Sequence, residues 1–277
     1  LTNPDDAETI ATLNAYTEDG KTSMTEYEHI VVPPNGTTVV DLTRAIPGVT
    51  SAALQVRVVD GRLTANIQTD VVNGVAQIGR SFNSPVESLS TQTVIVGLRS
   101  NSVAPRLHLV SPHADAIVSV ILHTTDGAFP INDATDMNLD SGVVKTLDLS
   151  DIIQTSKSAI EIVSDQPLLA SVTLISKSGG VNDYQVLSGQ SPILQGAVAA
   201  LPSELKISGF QALSLTETDV TVSAFLAGEP LWKETTSLNA GEVAALQLGE
   251  RREKGMVLVV NTTSPDVFVT LWLDAKT

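Results

Sequence analysis

Cysteine is absent from this 277-residue chain, and aromatic side chains make up only 4% of it. Without cysteine there are no disulfides, no thiolate metal sites and no cysteine nucleophile, a usage compatible with an oxidising, extracytoplasmic compartment. With so few aromatics, any core is built from Val, Leu, Ile and Ala. Basic residues are also scarce: 16 Lys and Arg face 31 Asp and Glu, for a net charge of −15. Nucleic-acid partners need a Lys/Arg footprint that this balance does not supply, and attachment to anionic lipid is disfavoured for the same reason. No apolar run approaches the ~20 residues of a membrane-spanning helix, so no direct membrane insertion is expected. There is no P-loop, dinucleotide glycine fingerprint, nucleophile elbow or His-Glu-x-x-His helix. Asp-box, Trp-Asp and kelch signatures are missing as well.

What the chain does have is a repeat of roughly fifty residues. A first apolar segment reads "TVVDL" (38–42), "TVIVGL" (93–98), "VVKTLDL" (143–149), "AVAAL" (197–201) and "VAALQL" (243–248). A second follows as "ALQV" (53–56), "RLHLV" (106–110), "AIEIV" (159–163), "ALSLT" (212–216) and "MVLVV" (256–260). The third is "LTANIQT" (63–69), "AIVSVIL" (116–122), "LLASVTLIS" (168–176), "VTVSAFL" (220–226) and "VFVTLWL" (267–273). Polar connections such as "SPHAD" (111–115) and "SDQP" (164–167) separate second from third, and their Ser, Asp and Pro content predicts hairpin turns. A glycine then follows at Gly20, Gly74, Gly127, Gly180 or Gly228, and after it comes a more polar fourth strand. The Val, Ile and Thr content and the absence of a sustained 3.6-residue period predict strands throughout. The best helical candidate, "LTRAIPG" (42–48), is broken by Pro47 and Gly48.

The fold class expected is therefore all-β, a single repeat domain over 1–277 with modules near 1–36, 37–90, 91–141, 142–196, 197–240 and 241–277. Four antiparallel strands per module point first to a six-bladed β-propeller-like ring with an incomplete first blade, because "VIV" and "AVAA" are apolar on both faces. The alternative pairs modules into two to three packed β-sandwiches of about 105 residues.

Few residues suggest chemistry. His108, His113 and His123 share one module with Asp115, and pairing of neighbouring strands would bring His108 beside His123. Imidazole plus carboxylate is metal chemistry, but the spacing is generic and hydrogen-bonded or exposed histidines are the expectation. The loop holding Asp126, Asp133, Asp136 and Asp140 lacks the order of a calcium loop and reads as solvated. Arg251, Arg252, Glu253 and Lys254 read as a solvated basic loop, and Trp232 and Trp272 as packing residues. Asn35-Gly36-Thr37 and Asn261-Thr262-Thr263 match the glycosylation sequon by pattern only. No catalytic residue, binding residue, metal site or cofactor is assigned.

One set of residues carries a resemblance: Ser111-Pro112, Asp126-Gly127, Gly142, Asp148-Leu149, Val163-Ser164-Asp165, Pro167 and Ala170, echoed at Asn3-Pro4, Asp19-Gly20, Gly36 and Asp41-Leu42. In these the chain resembles an uncharacterised family of secreted or membrane-anchored actinobacterial proteins. The resemblance implies an extracytoplasmic location, often with an N-terminal anchor, and brings no site residues with it. Together these readings predict a non-enzymatic binding or scaffold protein of the cell envelope, engaging an envelope protein or glycan. The alternative is a carbohydrate-active enzyme using Asp/Glu carboxylates in a central pocket. The chain opens at Leu1 in mid-module, so an upstream strand, preceded by a signal or anchor segment, is also expected.

Overall fold

The computed structural model describes residues 1–22, 27–49, 52–73, 76–83, 89–98, 102–155, 157–178, 181–190, 192, 195–198, 205–247 and 256–275. The protein is all-β: among the described residues, strands alternate with turns and one four-residue helix. The N-terminal group holds β1 (Thr9–Thr17), β2 (Gly20–Thr22), β3 (Ile30–Val32), α1 (Leu42–Ala45) and β4 (Ala53–Asp60), with β1 paired to β2, β3 and β4. A hairpin of β5 (Ile67–Asn73) and β6 (Ala76–Asn83) follows.

The central group comprises β7 (Ser90–Leu98), β8 (Ser102–Val110), β9 (Ala116–Thr124), β10 (Gly127–Pro130), β11 (Met137–Leu139), β12 (Lys145–Asp148), β13 (Ser158–Ser178) and β14 (Val181–Ser188). Its spine is the 21-residue β13. The first half of β13 pairs with β7 and β9, the second half with β8 and β14, so eight strands form one sheet curled into a half-barrel. Ile95, Leu107, Leu109, Val118, Val120, Ile160, Ile162 and Val172 fill the space enclosed by the curl. The C-terminal group contains β15 (Gln195–Val198), β16 (Leu205–Ser214), β17 (Thr218–Leu226), β18 (Glu229–Leu238), β19 (Val243–Gln247), β20 (Val257–Thr262) and β21 (Val267–Ala275). They form one sheet in the order β15-β20-β17-β18 and another in the order β19-β16-β21, with Phe210, Val222, Leu258 and Val260 among the residues of their shared core.

These pairings do not confirm a six-bladed ring, and they correct several expectations. The connections read as hairpin turns are corners that carry the chain from one set of pairings to another. The strands flanking 111–115, β8 and β9, do not pair with each other but lie against opposite halves of β13. The same holds for β16 and β17 and for β20 and β21, while at 164–167 the second and third strands are fused into β13. Each corner is closed by a short polar side chain bonded to a nearby backbone group: Asn3 Oδ1 accepts from Asp5 N (2.9 Å), Ser164 Oγ from Gln166 N (3.2 Å) and Ser264 Oγ from Asp266 N (3.2 Å), while Ser111 Oγ donates to Ala114 O (2.6 Å). This is the Ser/Asn turn chemistry that also builds hairpins, so composition alone does not separate the two. The hairpins lie instead after Asp19-Gly20 and Asp126-Gly127 and at Gly228, where β1–β2, β9–β10 and β17–β18 reverse.

The segment 38–42 is not a strand. Leu42–Ala45 forms one helical turn capped by Asp41, whose carboxylate accepts from Thr43 N at 3.1 Å, and Pro47 and Gly48 follow its end. Leu1 donates to Thr38 O at 2.9 Å, and Thr2 pairs with both Thr37 and Thr64, while β21 pairs with β16. Among the described residues no helix is long and apolar enough to cross a membrane.

Candidate functional site

Polar side chains are sealed most deeply where one group of strands meets the next. The strand after each odd-numbered corner starts at Thr9, Ala116 and Thr218, and these three strands occupy matching places. In β1–β4, Tyr16 lies opposite Ala53 and Asn14 opposite Gln55. In β9–β13, His123 lies opposite Ala159 and Ile121 opposite Glu161. In β17–β20, Phe225 lies opposite Val257 and Ser223 opposite Val259.

At the first joint, buried Tyr16 packs with Ala53 against Val110, Val144 and Leu169 of the central group. Its hydroxyl donates to Gln55 Oε1 at 3.0 Å, and Val144 N donates to Thr17 O at 2.9 Å. Beside it, half-buried His108 lies between Thr146 Oγ1 and Thr173 Oγ1, each 3.1 Å away, and Thr146 donates to Glu18 at 3.2 Å. Burial pushes the His108 pKa below the ordinary imidazole value; Arg106 adds to the shift and Glu18 opposes it. A histidine lowered in this way binds its proton more readily in the unfolded chain. Its neutral form therefore favours folding above the unfolded value of about 6.5, and stability is lost as pH falls from there through the lower folded value. His108→Gln is accordingly expected to flatten the pH dependence of the melting temperature between about pH 5 and 7. An unchanged slope in that variant refutes the assignment.

The second joint is the more polar. His123 and Glu161 are 2% and 7% exposed, and His123 Nε2 stands 2.9 Å from Glu161 Oε2. The other imidazole nitrogen, Nδ1, is 3.0 Å from the carbonyl of Gly241 in the C-terminal group. A carbonyl only accepts, so Nδ1 donates; Nε2 then needs a proton as well to meet an ionised carboxylate. Gln92 Nε2 donates to the remaining Glu161 oxygen at 2.6 Å. The His123 hydrogen bond, helped by Gln92, holds the Glu161 carboxyl below its usual range against the opposing effect of burial. Gly241 is a glycine for a reason: its φ is +76°, and a Cβ there would stand 3.4 Å from both His123 Nδ1 and Ala128 Cβ.

A second clamp lies nearby. Gln211 of β16 is fully buried; its Oε1 accepts from Gly97 N at 2.8 Å and its Nε2 donates to Ser158 O at 2.7 Å. Between the clamps Val94, Val96 and Ala159 of the central group pack on Leu213, Val243 and Phe268. Every polar atom of the His123 and Glu161 side chains is thus engaged within the protein, which leaves neither free as a base or nucleophile partner for a substrate.

The residues singled out in the sequence are dispersed. His108 and His123 are not neighbours: they sit on strands along opposite halves of β13, opposite Ser171 and Ala159. His113 is exposed. Asp115 accepts from Ser141 N at 2.8 Å and Asp136 from Ser119 Oγ at 3.2 Å, and Asp126, Asp133 and Asp140 are exposed. Asp115 and Asp140 line a shallow groove with Ile117, Asn138 and Leu139. Among the described residues no three of His, Asp and Glu are placed to hold a metal ion. Asn35 is exposed with φ of +50°, and Asn261 is in β20 opposite Thr221. Trp232 packs against the C-terminal core. The 251–254 cluster lies outside the described residues.

Glu161, Gln92, Gln211 and Gly241 were missed in the sequence. The available signal was a charged residue inside "AIEIV" and a glutamine inside "GFQALSL", each interrupting an apolar run. Such residues in a strand are either on a wet face or buried with a partner, and here the partner lies in a distant strand.

Paired sheet layers, polar corners and sealed joints define an all-β protein built from repeated strand groups. The chain belongs to a family of unknown function (DUF5719), whose model matches residues 1–249. No curated protein matches it.

Proposed function

We propose that this chain is a rigid, non-enzymatic binding or scaffold module of the extracytoplasmic cell envelope, presenting its loops to an envelope protein or glycan. Its architecture on this reading is a tandem of two-layer β-sandwich units of about 105 residues, the alternative weighed beside the propeller. The roughly fifty-residue period is then half a unit: successive modules cross between layers in opposite directions, once by a loop such as 111–115 and once along a bent strand such as β13.

The observation that carries the proposal is the sealed joint. His123, Glu161, Gln92 and Gln211 are spent on fixing one group of strands against the next, an arrangement suited to a platform that holds loops at set positions. An enzyme reading asks for a desolvated acid in an open pocket, whereas Glu161 is closed in by its partners and the groove carboxylates Asp115 and Asp140 are exposed. Incubation with cell-wall glycans and envelope fractions tests the proposal. Retention of the protein without release of new reducing ends is expected. Release of reducing ends that is lost on carboxylate substitution would instead establish the glycan-cleaving alternative.

A further inference from the structure

The two joints are made in the same way, and their repetition leaves one face over. In each joint a row of three side chains on adjacent strands lies against the outer face of the preceding group. The central group contributes Val144, Val110 and Leu169, with Val110 opposite Leu169; the C-terminal group contributes Val243, Leu213 and Phe268, with Leu213 opposite both others. The faces they cover are centred on Tyr16–Ala53 and His123–Ala159. The matching face of the C-terminal group carries Phe225, Val257 and Val259.

That third face is the most apolar of the set, since Phe225 replaces Tyr16 or His123, Val257 replaces an alanine and Val259 replaces Gln55 or Glu161. All three side chains are part-exposed, and none belongs to an apolar cluster among the described residues. Pro230, opposite Phe225, is exposed, and the neighbouring Leu231 is 41% exposed. The outward row continues through Ser223, Thr221 and Asn261 without a carboxylate, in a chain whose net charge is −15. Two such chains repel one another over most of their surface and least here.

The opposite end of the chain is built differently. Where the other groups place Val or Leu and Phe, the N-terminal group has Thr37, Thr2 and Thr64, all exposed, with Thr2 and Thr37 hydroxyls 3.0 Å apart. A polar row of this kind resembles the capped end of a repeat array and lacks the apolar side chains that both internal joints bury. Head-to-tail addition of a second copy is therefore disfavoured.

We infer that the Phe225–Val257–Val259 face is a self-association surface, on which a second copy of this chain packs by the same face across a two-fold axis. An isologous contact of this kind closes on itself and yields a dimer, not a filament.

Light scattering of the full chain across a concentration series tests the inference. A mass of twice 29.1 kDa is expected at high concentration, with Phe225→Lys and Val259→Lys each weakening the dimer at least about tenfold and Thr2→Lys leaving it unchanged. A second measurement is independent of any unfolding by those lysines. Ser223→Cys, beside Phe225 in a chain with no other cysteine, is expected to cross-link two copies on mild oxidation, whereas Thr2→Cys is not. A single-chain mass up to about 0.1 mM, a dimer that survives both lysines, or cross-linking through Thr2→Cys in place of Ser223→Cys overturns the inference.

Discussion

Replacing His123 with alanine is expected to destabilise the protein by about 3–5 kcal/mol, because it leaves the Glu161 carboxylate buried without its cationic partner. Glu161→Leu strands the imidazole in the same way and should cost a similar amount. The informative variant is the double replacement His123→Phe with Glu161→Val. It writes into the central group the residues that the C-terminal group already carries at the same register, Phe225 and Val259. An apolar pair of similar volume often matches or exceeds a buried ion pair, so the double variant should recover to within about 1–2 kcal/mol of the parent, the lost Gly241 hydrogen bond accounting for the remainder. Urea denaturation of the four proteins gives the coupling energy directly. If the single losses simply add in the double variant, the two side chains are not coupled and the latch is misassigned. The pH dependence has a definite sign. Glu161 is lowered in the folded state, so its contribution is complete above the unfolded carboxyl value of about 4.3 and disappears as pH falls through the depressed folded value. Glu161→Gln should remove that acid limb.

Gln211→Leu is the second large effect, at about 2–5 kcal/mol. The substitution keeps the volume but leaves the Gly97 N–H and the Ser158 carbonyl buried without partners, at about 1–3 kcal/mol each. Gly97 has little room to adjust: its φ is +94°, and a Cβ there would lie 3.1 Å from Thr270 Cγ2. Because Gln211 belongs to the C-terminal group and both its partners to the central one, the loss falls on the joint. Calorimetry should therefore show the single transition of the parent separating into two, with the C-terminal strands melting first. A variant that loses stability but keeps one coincident transition would place the effect within β16 and not at the joint.

Much of the fold was legible because it is local. Alternation in "VTVSAFL" reports β17 and its burial, with Val220, Val222 and Ala224 inward and the residues between them part-exposed. Asp-Gly pairs mark the hairpins, and Ser, Asn and Pro mark the corners. The site was not legible. His123 is 38 residues from Glu161 and 118 from Gly241, and nothing in either run names the other. The expectation that His108 and His123 are neighbours failed for the same reason: it assumed that strands joined by a short polar turn pair with each other.

The sequence by itself determined the class of structure, since Val, Ile and Thr at period two, broken by glycine and proline, admit strands and exclude long helices. It also determined where the chain turns. Only the tertiary structure decided which strands pair, because backbone hydrogen bonds are indifferent to the side chains that flank them and a corner differs from a hairpin only in where the next strand goes. It likewise decided that His123, Glu161 and Gln211 are structural. A polar side chain inside an apolar run acquires its role from whatever is packed against it, and here that is the apolar row of the next group of strands.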